Sequence, residues 1–115
     1  MNQAINFLVA NLPITGLAAY SILSPRGAMT SQCYSKSLYP NSTEEMLVRV
    51  MQEARELLPA GEGSVSYCWT FEAHQVHIAA RRDGIALAVL VENIAGTQIV
   101  RVRELLKGFL ELQEL

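Results

Sequence analysis

Charge is scarce in this chain. Asp, Glu, Lys and Arg make up 17% of its 115 residues, against about 25% in an ordinary soluble domain. So few charges leave much of a small domain's surface uncovered, and part of it is expected to be hidden in a partner. The charges nearly cancel, giving a net −2 and a pI near 5.6. That balance provides no basic face for nucleic acid and no polybasic segment for anionic lipid.

Catalytic motifs are also missing. No G-x-x-x-x-G-K-[ST] occurs, so the chain binds no nucleotide through a P-loop; if it acts on a GTPase, the nucleotide belongs to the partner. Ser, His and Asp are present, but no G-x-S-x-G elbow exposes a nucleophile, which argues against a hydrolase and leaves no catalytic residue to name. His74 and His77 form an H-x-x-H on an expected hairpin. Zinc wants three or four convergent ligands, and with no third one fixed nearby, no metal or other cofactor is expected. His74 reads as a solvated turn residue. Long apolar runs are absent too, so no segment reads as a membrane span. The first residues carry no positive cluster and turn polar at Asn11 and Pro13, unlike a signal peptide. The two cysteines, Cys33 and Cys68, fall in expected strands and read as small buried thiols in a reducing cytoplasm.

What is present reads as one domain over residues 1–115. Its most telling stretch is Ile85-Ala86-Leu87-Ala88-Val89-Leu90-Val91, launched from Asp83-Gly84. Successive strand side chains point to opposite faces, so a strand apolar at every position needs both faces of its sheet covered. Asp-Gly is a strong hairpin signal and pairs this run antiparallel with Val76–Arg81. Leu17–Leu23, opened by Gly16, is a second strand apolar on both faces. Ser24-Pro25-Arg26-Gly27 has the Pro and Gly positions of a type I turn and returns the chain through the more polar Ala28–Ser35.

Three helices complete the pattern. Residues 2–11 carry Ile5, Leu8 and Val9 at helical spacing. After a loop over 36–42, Ser42 and Glu45 suggest a capping box opening a helix to about Leu58. Its stripe is Met46, Leu47, Val50, Met51, Ala54, Leu57 and Leu58, ended by Pro59 and Gly61-Glu62-Gly63. Ser64–Phe71 then alternates, with Val65, Tyr67, Trp69 and Phe71 on one face and Ser66, Cys68 and Thr70 on the other. A turn at Ala73–Gln75 follows. The last helix, with Thr97 as its expected cap, carries Val102, Leu106 and Phe109. The order α-β-β-α-β-β-β-α makes the two doubly apolar strands central neighbours. The expected fold is α+β, with a five-stranded antiparallel sheet of order 2-1-5-4-3 and helices on both faces.

This pattern resembles the roadblock family, named for dynein light chains and including bacterial regulators of Ras-like GTPases. The resemblance runs over nearly the whole chain. It is carried by Gly16-Leu17-Ala18-Ala19-Tyr20-Ser21-Ile22-Leu23, by Gly27-Ala28-Met29-Thr30-Ser31, by the hairpin around Asp83-Gly84, and by the closing amphipathic helix. It implies a non-enzymatic homodimeric scaffold or regulator, cytoplasmic, that binds a small Ras-like GTPase or a larger complex. It also implies dimers that join third strands edge to edge and pack second helices together, here Ser64–Phe71 and Glu44–Leu58. The interface residues are then Met46, Val50, Met51, Ala54, Ser66, Tyr67, Cys68 and Trp69.

Two residue groups admit more than one reading. Arg81 and Arg82 flank the Asp83-Gly84 turn, as a solvated flank or as a substituted arginine finger. Tyr67, Trp69 and Phe71 suit packing under a helix, with a partner interface as the second possibility. The alternative function is a small-molecule sensor of the profilin-like, PAS or GAF kind. It would need a pocket of several hundred Å³, for which Ala79, Ala86 and Ala88 make room.

Overall fold

The computed structural model of the chain describes residues 2–58, 65–71 and 73–113. The elements are α1 (Asn2–Ala10), β1 (Leu17–Leu23), β2 (Met29–Cys33), α2 (Pro40–Glu56), β3 (Val65–Thr70), β4 (His74–Ala80), β5 (Ala86–Glu92) and α3 (Ile99–Glu111). The strands form one antiparallel sheet in the order β2-β1-β5-β4-β3. The expected order therefore holds, with the two doubly apolar strands side by side at the centre.

Each face of the sheet has its own core. On one, α1 and α3 pack Leu8, Val102, Leu105 and Phe109 against Ile22, Leu87, Val89 and Val91. On the other, α2 alone packs Leu47, Val50, Met51 and Ala54 against Leu23, Val76, Ile78 and Leu90. Full burial of such a side chain contributes roughly 1.5–3 kcal/mol. Ala86 and Ala88 lie beneath α2 and Ala79 faces the other core, all three fully buried. They bring helices close to the sheet instead of opening a chamber for a ligand.

The hairpins β1–β2 and β4–β5 are built alike. Gly27 N–H donates to Ser24 O at 3.0 Å and Ser24 N–H to Ala28 O at 2.8 Å; Gly84 N–H donates to Arg81 O at 3.0 Å and Arg81 N–H to Ile85 O at 2.9 Å. Each is a three-residue loop ending in a glycine at φ +92°. The turns abut: a Cβ on Gly84 would lie 3.1 Å from the Pro25 ring.

Both helix starts differ from the sequence reading. Helix α2 opens at Pro40, with Tyr39 as N-cap and no side-chain cap. Proline at the first helical position lacks only an N–H that would have had no partner, and its φ is already helical. Ser42 thus lies within the first turn and forms no capping box. Thr97 does not cap α3; its hydroxyl donates to Glu92 O at 2.7 Å and ties the loop to the end of β5. Gln98 holds the N-cap position, and its Oε1 accepts from Thr15 N–H at 2.8 Å. The expected stop of α2 at Pro59 and Gly61–Gly63, and Ser64 at the head of the third strand, lie outside the described residues.

Candidate functional site: the open edge of the sheet

Among the described residues, strand β3 pairs with β4 on one side only. Its hydrogen-bond phase follows from the hairpin, where Phe71 N–H donates to His74 O at 2.7 Å. Bonded pairs alternate in an antiparallel ladder. Residues 65, 67 and 69 therefore bond to 80, 78 and 76, while Ser66, Cys68 and Thr70 turn their backbone groups to the open edge. The side chains divide the other way. Tyr67 and Trp69, opposite Ile78 and Val76, share the α2 face; Ser66, Cys68 and Thr70 lie on the α3 face and are exposed.

The aromatics are not all under a helix, contrary to the first expectation. Tyr67 is half-buried against the α2 core, but Trp69 and Phe71 remain 40% and 48% exposed. Trp69 pairs with Val76 near the β3–β4 turn, where it is only partly covered. The strand Val-Ser-Tyr-Cys-Trp-Thr carries no charge and no proline. Natural edges are guarded by Lys, Pro, bulges or a covering element, and this edge has the first two nowhere along it.

A thiol–imidazole pair sits at the middle of the edge. Cys68 is exposed, which corrects its reading as a buried thiol; Cys33, on the opposite edge strand, is half-buried. Cys68 Sγ lies 3.6 Å from Nε2 of His77, its direct cross-strand partner. His77 is 4% exposed, and its Nε2 is also 3.2 Å from Gln75 Oε1. Gln75 in turn donates to Asn93 Oδ1 at 3.3 Å. Burial lowers the His77 pKa below its usual value, and the Arg103 charge lowers it further, so the imidazole is neutral near pH 7. His74 is half-buried within β4, not solvated in a turn. Among the described residues no three of His, Cys, Asp and Glu gather as a metal-ligand set.

The α2 part of the expected interface is placed differently. Val50, Met51 and Ala54 are 7%, 0% and 2% exposed and belong to the core against the chain's own sheet. Met46 is half-buried at the margin of that core, and the exposed face of α2 carries Glu45, Arg49, Gln52 and Glu53. Edge residues Ser66, Cys68 and Trp69, with half-buried Tyr67, are thus the expected interface residues most open to a partner.

Arg81 is neither a solvated flank nor a finger. It is 6% exposed and grips Asp83 with Nε–Oδ1 and Nε–Oδ2 distances of 3.2 and 3.1 Å. Its other nitrogens donate to the carbonyls of Phe109, Leu112 (2.9 Å) and Gln113 (3.2 Å), and its guanidinium lies 5.5 Å from the Phe109 ring centre. One side chain therefore closes the β4–β5 turn and satisfies carbonyls at the end of α3. Nothing near Arg81 in the sequence signals the contact with α3, because those carbonyls lie 28 to 32 residues away.

Depressions elsewhere are open at the surface. One of about 330 Å³ is lined by Leu12, Pro13, Ile14, Leu17 and Tyr34. Another, of about 510 Å³, lies between the first hairpin and α2, around Arg26, Arg55 and Glu56.

Sheet order, two covered faces and, among the described residues, three helices define an α+β fold of the roadblock-like kind. Among solved structures the chain is similar to MglC from Myxococcus xanthus, with 16% identity, a TM-score of 0.50, and coverage of 95% of this chain and 88% of that one. At that identity the likeness is one of fold. No family model matches the chain, and no curated protein matches it in sequence. No helix among the described residues is long and apolar enough to cross a membrane.

Proposed function

We propose that this chain is a non-enzymatic, cytoplasmic regulator or scaffold that acts as a homodimer and binds a small Ras-like GTPase or a larger assembly. The observation that carries the reading is the β3 edge: uncharged, with three unpaired backbone positions and two exposed aromatics. A second copy is the partner that matches it, because an uncharged strand meets its own image without repulsion. The roadblock-like fold supports the GTPase as the further partner, with the nucleotide supplied by that partner.

Light scattering tests the dimer. At micromolar concentration the protein should have twice its 12.7 kDa chain mass. Proline has no N–H to donate to a ladder, and the β3 phase says where that matters. Cys68→Pro and Ser66→Pro should dissociate the dimer while circular dichroism stays native. Tyr67→Pro should instead break the β3–β4 ladder and destabilise the fold. A monomeric native protein sinks the proposal. For the GTPase, purified Ras-like GTPases loaded with fluorescent GDP or a GTP analogue should bind the dimer in a nucleotide-dependent way. A dimer that binds none of them in either state leaves the scaffold without its proposed partner.

A further inference from the structure

We propose that the opposite edge of the sheet, β2, takes an extended segment of another protein as an added strand, one with cationic side chains at positions i and i+2. This is the edge that the β3 pairing leaves free, and the proposal stands or falls separately from the homodimer.

The hydrogen-bond phase of β2 says which of its groups are available. Ser24 N–H donates to Ala28 O and, at the other end, Tyr34 N–H to Ala18 O, both at 2.8 Å. With Tyr20 opposite Gln32 and Ile22 opposite Thr30, these are the bonded pairs of the ladder. Met29, Ser31 and Cys33 therefore turn their backbone N–H and C=O groups outward. Among the described residues no strand pairs with that side. The strand Met-Thr-Ser-Gln-Cys carries neither charge nor proline, so nothing within it guards the edge against an added strand.

The side chains of the same three residues lie on the α2 face. Met29 and Cys33 pack against the α2 core, and Ser31 Oγ lies 2.7 Å from Ser21 Oγ. Beside them the space between strand and helix is open. One depression, of about 260 Å³, lies between Ser31, Cys33 and the start of α2 at Thr43 and Glu44. A second, of about 300 Å³, lies between Met29 and Glu44, Glu45 and Arg49. Glu44 lines both, so together they form one groove along the edge.

A strand added antiparallel, as in the rest of the sheet, sets its residues opposite Met29, Ser31 and Cys33 with their side chains on this face. Main-chain bonds then hold the segment, and side chains two residues apart enter the groove and give specificity. The charge of the groove selects them. Two carboxylates against one guanidinium leave it acidic. The only ion pair among the described residues is Arg81–Asp83, so neither glutamate is neutralised by a neighbour. Glu44 is half-buried, where salt screens a pairing cation less than at the open surface. A second copy is the wrong occupant. Two β2 edges paired about a two-fold axis through Ser31 would bring the Glu44 carboxylates of both copies together.

The test is selection of random nonapeptides displayed on phage against the purified protein, followed by fluorescence polarisation of the enriched peptides as synthetic, labelled probes. They should carry Lys or Arg at i and i+2. Glu44→Gln should weaken binding about fivefold, and Glu44→Gln with Glu45→Gln about twentyfold. Ser31→Pro removes an outward N–H and no ladder bond, so it should abolish binding with circular dichroism unchanged. Methylating the peptide nitrogens tests the same bonds without touching the fold. At the two cationic residues, whose N–H groups face β2, it should abolish binding; at the residue between them it should not. Cys68→Pro, on the far edge, should bind the peptides as wild type does. No enrichment, peptides without the paired cations, or binding that survives both Ser31→Pro and methylation would overturn the proposal. So would binding lost through Cys68→Pro instead. A loss of self-association in Ser31→Pro, read by sedimentation, would put a second copy on this edge and equally overturn it. A monomeric protein that still binds the peptides in this way would refute the β3 homodimer alone.

Discussion

Replacing Arg81 by methionine removes the guanidinium but keeps most of the aliphatic stem. Three things are lost together: the pair with Asp83, the donors to the Phe109, Leu112 and Gln113 carbonyls, and the cation over the Phe109 ring. Breaking a buried ion pair by removing one partner costs about 3–5 kcal/mol. The lower end applies here, because the Asp83 side chain is 16% exposed and water can reach it. It also keeps its bond from Ile85 N–H at 3.1 Å. The expected loss is about 3 kcal/mol, or roughly two decades in the folding equilibrium. With an unfolding entropy of about 2.1 cal/mol/K per residue, that is a fall of about 12 °C in Tm for a chain this long. Arg81→Lys keeps the charge but not the planar fork and should lose about half as much by the same reasoning. Urea unfolding at fixed protein concentration, with matching slopes, is the assay. A loss below about 1 kcal/mol for Arg81→Met, the range of an ordinary surface change, would refute a structural role for this arginine.

Gly16→Ala should be among the costliest small changes in the chain. Gly16 has φ +92°, and an added Cβ would fall 2.2 Å from Thr97 Oγ1, the hydroxyl bonded to Glu92 O. Backbone strain of about 1–3 kcal/mol adds to the displaced hydrogen bond, and thermal unfolding should show it; an unchanged Tm would contradict the geometry. Stability should also fall on acidification because His77 is held neutral in the fold. Its folded pKa is lowered, so the unfolded chain binds more protons below its ordinary pKa of about 6.5. The stability present above that pH is lost as pH drops toward the folded pKa. His77→Gln should flatten unfolding free energy measured between pH 7.5 and 5, and an unaltered slope would assign the acid sensitivity elsewhere. Trp69→Ala should cost the isolated fold about 1 kcal/mol, well short of the roughly 3–5 of a core tryptophan, yet weaken self-association at least tenfold in sedimentation.

The strand order was legible because two runs, Leu17–Leu23 and Ile85–Val91, are apolar at every position, and only central strands covered on both sides can be so. With turn residues fixing the hairpins, the order of the five strands follows. Local competition hid more. Pro40 and Ser42 both mark a helix start, and the proline prevails because a ring at the first helical position needs no side-chain cap. Trp69 shows another limit: alternation correctly assigns its face, but not whether a helix extends over it. Arg81 is the clearest case. A charged residue beside a tight turn reads as solvent-facing, and only the place where α3 ends, some thirty residues on, turns it inward.

The seam between β1 and β5 governs how this domain forms. It joins Leu17–Leu23 to Ala86–Val91 across most of the chain, whereas every other strand pairing is a local hairpin. Loop-closure entropy must be met before such a non-local contact returns anything, so the two hairpin units can appear early while their union sets the pace. Neither unit has a finished core alone, because α2 packs against β1 on one side of the seam and against β4 and β5 on the other. Until the seam closes, β5 displays an uncovered apolar edge. A nascent chain would therefore be most exposed to misassociation after β5 emerges and before α3 docks.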